Sequence, residues 1–270
     1  FSIICIFIGI LTPLLLNLLF SITEPLVFIY DYFFVPTLFC ALFFFVWLSK
    51  SNFKKEGTVD INFKLIFDDK RIKTFFLCYF FSSIALSIPA FTIIYFVRDY
   101  LNLYDFLWFF LLLYFSSGII GIAFWNKFSR NYDPYQIWLL NLFLSSLIFI
   151  FVIFLKPNDY FFYALFCLFT GFFGGANIVI PPIIIANKIK DTKRELYSNS
   201  YYAIVSFLSK IGLAFGILTA FFFLEMINYT PSNYSTHIYI PYIYAGLPSL
   251  ILMSVTIWLY INTFKKNYGN

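Results

Sequence analysis

Apolar residues in this chain fall into eight long runs separated by short polar connectors. The runs cover approximately residues 1–20, 26–49, 74–97, 105–126, 137–155, 160–186, 197–225 and 241–263. A helix that rises 1.5 Å per residue needs about 20 residues to cross a hydrocarbon core of about 30 Å, which is close to the length of each run. The pattern therefore predicts an all-α integral membrane protein with about eight transmembrane helices.

Two of the runs contain residues that affect helix geometry. Pro181 and Pro182 lie in the sixth run, and because proline lacks a backbone donor and clashes with the preceding turn, we expect that helix to be broken there. Gly212 and Gly216 form a GxxxG motif in the seventh run. This motif lets two membrane helices approach closely, so it predicts a packing contact.

The polar connectors differ strongly in charge. Of the 18 Lys and Arg residues, all those outside the runs except Arg98 and Lys156 fall in the connectors 50–73, 127–130 and 188–194 or in the tail at 265–266. Basic connectors lie on the cytoplasmic side of a membrane, so these four segments, including the C-terminus, are expected there. The two exceptions are expected on the outer side.

The connector 50–73 is the longest and most charged, and it divides the chain unequally. We interpret 1–49 as the last two spans of an N-terminal bundle, 50–73 as a basic cytoplasmic linker and 74–270 as a C-terminal six-helix bundle. This is the layout of a major facilitator, whose halves are six-span repeats. The spans would be equivalent to the fifth to the twelfth, with four N-terminal spans of the same protein missing; an intact eight-span protein is the alternative.

Composition excludes several classes of protein. The chain is 61% hydrophobic and only 11% charged, unlike a soluble domain. Its four cysteines lie in apolar runs without CxxC spacing, and His237 has no second ligand at a useful spacing, so no metal site or cofactor is expected. The sequence contains no phosphate loop, HExxH or GxSxG motif, so we predict that it is not an enzyme. Nothing in it indicates a nucleic-acid partner.

One lysine, Lys210, lies deep in the seventh run, about 20 Å from its start at 1.5 Å per residue. A lysine at this depth costs about 2.5–3.5 kcal/mol. On a helix, Asn199, Ala203, Ser206 and Ala214 share its face, so small and polar side chains form one stripe with the ammonium group. We expect this stripe to face a solute cavity. The alternative is a lysine buried for packing and satisfied by neighbouring hydroxyls and carbonyls.

Four further residues are candidates for the same solute or coupling site. Tyr201 and Tyr202 lie in the same run as Lys210. Asn177, in the sixth run, needs a hydrogen-bond partner in apolar surroundings, and either a solute or a neighbouring helix would supply it. Asp31 is the only acid clearly inside an apolar run, where it either pairs with a cation or Lys210 or is solvated near the outer interface.

The turn between the fourth and fifth spans carries Trp125, Lys127 and Arg130. Basic residues at a helix C-terminus are favoured by its partial negative charge and by the inner lipid headgroups. These three residues therefore either anchor the helix or belong to a cytoplasmic gate.

Four segments together resemble the glycoside-pentoside-hexuronide cation symporter family, which is melibiose permease-like and belongs to the major facilitator superfamily. They are "YFVRDYLN" from residue 95, "GIAFWNKFSRNYDPYQIW" from residue 121, "GGANIVIPPIIIANKIKDTKRE" from residue 174 and "YSNSYYAIVSFLSKIGLAFG" from residue 197. The resemblance covers most of residues 60–265. The sequence departs from the family pattern in the loop between the sixth and seventh runs: Asn187 stands where an Asp is usual, Lys188 and Lys190 where further acids are usual, and Leu196 where a Gly is usual.

The resemblance implies a secondary active transporter that carries a sugar or related solute with H⁺ or Na⁺ by alternating access across the inner or plasma membrane. Lys210 falls on the family's intramembrane lysine, which would pair with coupling-site acids or donate hydrogen bonds to the solute. The family's cation-binding acids lie in its first-half helices. The expected partners are a small solute, membrane lipid and those N-terminal spans. A non-transporting remnant or an accessory protein that assembles with another chain is the alternative.

Overall fold

The computed structural model describes residues 66–67, 69–192, 195–231 and 234–263. Contacts divide the chain into two units, Phe1–Thr58 and Val59–Asn270, and all the described residues belong to the second. The predicted spans 1–20 and 26–49, with Asp31, and most of the predicted linker 50–73 lie outside the described residues.

Six long helices make up the described part of the chain, which contains no strand. We number them α1 Lys70–Tyr95, α2 Leu107–Phe128, α3 Pro134–Val152, α4 Tyr160–Asp191, α5 Ser198–Met226 and α6 Leu247–Thr263. A π-helical turn, Phe96–Tyr100, extends α1, and a second, Tyr242–Gly246, leads into α6. All six helices, with their flanking turns, are long and apolar enough to cross a membrane. This confirms the predicted all-helical membrane fold.

Two helices begin earlier than the apolar runs predicted. Asp69 caps α1 by accepting a hydrogen bond from the Arg71 backbone N–H at 2.7 Å, so residues 70–73, which were predicted to be linker, belong to the helix. Asp133 caps α3 in the same way, and Pro134 occupies its first position. Capping carboxylates and a polar first turn stabilise a helix start, but neither adds to the hydrophobic pattern.

The predicted break in the sixth run is wrong. α4 continues for 32 residues through Pro181 and Pro182. Pro181 is buried in the bundle, whereas Pro182 is exposed. Membrane helices tolerate internal prolines because neighbouring helices and local adjustments satisfy the backbone groups that proline leaves free.

The six helices are arranged as two related groups of three. α2 packs on α4 as α5 packs on α1; α3 packs on α4 as α6 packs on α1; and α3 and α6 pack on each other. Exchanging α1–α3 with α4–α6 leaves this pattern unchanged, as expected for the two three-helix repeats within half of a major facilitator. α2 and α5 lie at the outside of this arrangement, each packed mainly on one other helix. Only 17% and 22% of their most apolar stretches are buried, against 56% for the span that contains α6.

Glycines bring the paired helices together at the backbone. A Cβ atom at Gly175 of α4 would lie 2.6 Å from the backbone nitrogen of Ile122 in α2. A Cβ atom at Gly212 of α5 would lie 2.6 Å from the Cβ of Ser83 in α1. A Cβ atom at Gly216 of α5 would lie 2.8 Å from the backbone oxygen of Ile84 in α1. The GxxxG motif is therefore a packing contact, as predicted.

Candidate functional site

Helix α5 presents three different faces. Its buried face, which packs on α1, consists of a ridge of small residues flanked by larger ones: Tyr201, Val205, Gly212, Gly216, Ala220 and Leu224. At about 100° per residue, Lys210 points roughly 160° away from Gly212. The lysine is therefore on the side opposite the packing ridge.

Most of the exposed side of α5 is divided by side-chain type, although Leu213 and Phe221, which are 48% and 49% exposed, point about 60° and 20° from Lys210. Lys210 and its four predicted neighbours are all exposed and lie within about 40° of one another's mean direction: Asn199, Ala203, Ser206 and Ala214. We call these five residues the Lys210 stripe. Beside the stripe, large apolar side chains point about 60–140° away from Lys210 around the helix axis. They are 50–65% exposed: Phe207, Phe215, Leu218 and Phe222. The large apolar face suits lipid, and the Lys210 stripe does not.

Lys210 has no hydrogen bond or ion pair with any residue that the structure describes. The described helices therefore do not satisfy its ammonium group in the way that a packing lysine would require. An uncompensated charge at this depth needs water, a solute or an opposite charge to face it.

The other predicted site residues are distributed unequally around this stripe. Tyr202 is 39% exposed and lies about 80° from Lys210, at the edge of the stripe. Tyr201 is fully buried on the packing side, and its hydroxyl has no partner among the described residues. Asn177 is half-buried in α4, with its side-chain nitrogen also unpartnered there. The structure thus brings Ser206 and Tyr202 to the open face of Lys210, but not Tyr201.

The starts of α1 and α3 and the ends of α4 and α6 surround a cavity of about 410 Å³. In it the Lys188 ammonium forms an ion pair with the Asp69 carboxylate, which we call the basic-end ion pair. Partial burial raises the pKa of Asp69, but the hydrogen bonds from Lys188 and the Arg71 backbone outweigh this effect, so the pKa is lowered. Sequence analysis did not find this pair because 119 residues separate its members.

Two contacts place Asn177 and Lys210 at the same depth. Measured from the basic-end ion pair, Asn177 lies about 16 Å along α4 at 1.5 Å per residue. Gly212 lies against Ser83 of α1, and this contact puts Lys210 about 18 Å from the same end. The amide nitrogen and the ammonium group, neither of which has a partner among the described residues, therefore belong to one layer near the middle of the bundle.

The three predicted gate residues have different surroundings. Trp125 is buried, and its indole N–H donates a hydrogen bond to the Phe172 carbonyl oxygen at 3.1 Å, which ties α2 to α4. Lys127 and Arg130 are exposed at the same end of the bundle and form no ion pair within the described part of the chain. Trp125 therefore forms a contact between helices, and a gate role for the three residues stays a prediction.

The opposite end of the bundle holds a polar cluster that the sequence did not indicate. Arg98, which was expected on the outer side, donates two hydrogen bonds from its guanidinium to Asp99, at 2.7 and 3.0 Å. The Tyr229 hydroxyl, from the connection between α5 and α6, donates to the same carboxylate. Burial and this bond raise the pKa of Tyr229 to about 12. The cluster fastens the α5–α6 connection to the end of α1.

A family model described as MFS/sugar transport protein matches residues 1–265 of the 270. No curated protein and no solved structure matches the chain. The match covers almost the whole sequence and agrees with the six membrane-crossing helices and their two three-helix groups. The chain therefore belongs to the MFS/sugar transport protein family of multi-pass membrane transporters.

Proposed function

We propose that the protein is a secondary active transporter that moves a sugar or related small solute together with H⁺ or Na⁺ by alternating access. Family membership supports transport of a small solute. The symport and cation-coupling parts of the proposal rest on the resemblance of four segments to the glycoside-pentoside-hexuronide cation symporters. The basic connectors favour an inner or plasma membrane location with a cytoplasmic C-terminus.

The observation that carries this proposal is the open Lys210 stripe. Its residues are exposed on a membrane-crossing helix, small enough to leave room beside them, and flanked by an apolar face that suits lipid. Holding Lys210 in a membrane costs about 2.5–3.5 kcal/mol, and no described residue offsets that cost by pairing with it. Such a cost is expected where an ionisable group serves a solute or ion pathway.

In this proposal Lys210 donates hydrogen bonds to the solute or pairs with the acids that hold the coupling cation. Ser206 offers a hydroxyl group from the same face and Tyr202 offers one from its edge, while Asn177 carries a buried amide nitrogen, without a described partner, at the same depth in α4. Hydroxyl and amide groups both donate and accept hydrogen bonds, which matches the many hydroxyls of a sugar. Asp31, which lies outside the described residues, stays the candidate acid from the sequence.

Alternating access would move this six-helix bundle against a second one. The buried bond from Trp125 to Phe172 would keep α2 and α4 moving as one body. Lys127 and Arg130, exposed at the basic end, would then be free to make and break contacts as the cytoplasmic side closes and opens.

The test is uptake by the full-length protein with Lys210→Ala. Sugars are first screened with and without Na⁺ and with and without a pH gradient, which identifies the solute and the coupling ion. We expect Lys210→Ala to abolish coupled uptake while membrane insertion stays normal. Lys156→Ala, on the exposed α3–α4 connection, is the matched control and should transport normally. Undiminished uptake by Lys210→Ala would refute the role of the lysine. Absence of uptake by the parent protein under every gradient would favour an accessory protein.

A further inference from the structure

Tyr114 of α2 reaches across the contact between α2 and α4. Its backbone oxygen lies against Gly171, on the ridge that packs the two helices together. Its side chain continues along α4, where a Cβ atom at Gly174 would lie 3.3 Å from the tyrosine hydroxyl oxygen. The residue as a whole is 37% exposed, but its hydroxyl group lies deep in the protein, against α4.

The hydroxyl of Tyr114 forms no hydrogen bond with any residue in the described part of the chain. Lipid hydrocarbon offers no partner to a hydroxyl group, so an unsatisfied one in the middle of a membrane span is unfavourable. Tyrosines near the membrane surface reach the polar interface, but this one lies within α2, in a stretch of high hydropathy. The deep hydroxyl is therefore expected to meet water or a polar solute.

The position of Gly174 gives the depth of this hydroxyl. Gly174 lies three residues before Asn177 on α4, which is about 4.5 Å along the helix and less than one turn. Asn177 shares the depth of Lys210, as shown by the basic-end ion pair and the contact of Gly212 with α1. Three polar groups without described partners, from α2, α4 and α5, thus lie within about one helical turn of depth.

We infer that Tyr114 is a solute-contacting residue and that, with Asn177, it forms a second wall of the solute site, separate from the Lys210 stripe. This inference rests on the proposed transport function and adds to it a residue that neither the sequence pattern nor the family resemblance indicated. The ring supplies a flat apolar surface and the hydroxyl supplies one hydrogen bond, a combination that suits the alternating C–H and O–H groups of a sugar.

The first test is Tyr114→Phe, which removes only the hydroxyl group. Loss of one hydrogen bond to the solute should raise KM for the transported sugar about 2- to 12-fold, with the maximal rate and the melting temperature unchanged. Tyr100→Phe is the matched control, because the Tyr100 hydroxyl donates to the Leu155 carbonyl oxygen at 2.7 Å at the far end of α1. This control should lower the melting temperature and leave KM unchanged.

A second measurement does not depend on transport kinetics. In a protein without its natural cysteines, Tyr114→Cys should react with a water-soluble methanethiosulfonate reagent, and the transported sugar should slow that reaction. Ile120→Cys, on the lipid-facing side of α2 where Ile120 is 65% exposed, should not react.

These outcomes separate the inference from the proposed function. The solute contact is overturned if Tyr114→Phe has the same KM as the parent protein. It is also overturned if Tyr114→Cys does not react, or if the sugar does not slow its reaction. In either case transport by the parent protein stands. A parent protein that takes up no solute under any gradient removes the proposed function and this inference together.

Discussion

The adjacent glycines Gly174 and Gly175 of α4 should respond very differently to the same substitution. A Cβ atom at Gly175 would lie 2.6 Å from the backbone nitrogen of Ile122 and 2.8 Å from the backbone oxygen of Gly118. These are main-chain atoms of α2 and cannot rotate away. A Cβ atom at Gly174 would meet only the end of the Tyr114 side chain, at 3.3 Å. Alanine therefore forces two helices apart at one position and needs only a small side-chain adjustment at the other.

The magnitude follows from comparing the two variants. Replacing glycine by alanine within a helix gains up to about 1 kcal/mol of helix propensity, and this gain is common to both positions. Overpacking a well-packed interface costs about 1–3 kcal/mol, and here that cost applies to Gly175 alone. The difference between the variants therefore isolates the clash. At about 2–4 °C per kcal/mol for a domain of this size, Gly175→Ala should melt about 2–12 °C below Gly174→Ala.

Thermal unfolding of the purified variants in one detergent, followed by fluorescence, measures this difference directly. Both variants carry one added methyl group at neighbouring positions of the same helix, so expression and detergent effects are matched. Equal melting temperatures, or a less stable Gly174→Ala, would refute the backbone contact between α2 and α4.

Two further predictions concern the basic end of the bundle. Trp125→Phe removes the bond to the Phe172 carbonyl, which still accepts the backbone bond of α4, so loss of this second bond should cost about 0.5–1.5 kcal/mol of unfolding free energy; an unchanged melting temperature would contradict the bond. The pKa of Asp69 is raised by partial burial but lowered more by Lys188 and the Arg71 backbone. The ion pair should therefore stabilise the fold above the ordinary aspartate pKa of about 4 and lose this effect as pH falls through the lower, folded-state pKa. Melting scans from pH 7 to pH 2 should show a smaller acid loss in Asp69→Asn than in the parent.

Helix number and the faces of α5 could be predicted from the sequence because both depend on local periodicity. The apolar runs placed each described span within a few residues of its helix, and a period of about 3.6 placed Ser206, Ala214 and Lys210 on one side. The same periodicity places Tyr201 on the opposite side, a consequence that the sequence analysis did not draw.

The contacts that the sequence missed join residues that are far apart along the chain. Tyr229 and Asp99 are separated by 130 residues, and nothing in either neighbourhood indicates the other. Trp125 bonds to a main-chain oxygen, so no particular side chain at its partner position could have indicated the contact. Tyr114 was missed for another reason, because one tyrosine among 21 is not distinctive until the helix beside it is known.

The claim on which this account depends is that the Lys210 stripe faces a solute pathway and not lipid. The most direct measurement is cysteine accessibility along α5 in membrane vesicles, with the natural cysteines replaced. Cysteines at Ala203, Ser206 and Ala214 should react with a water-soluble thiol reagent and be protected by the transported sugar, whereas cysteines at Phe207 and Leu218 should not react. Equal reactivity around the exposed side of α5, or reaction confined to the apolar face, would contradict the account.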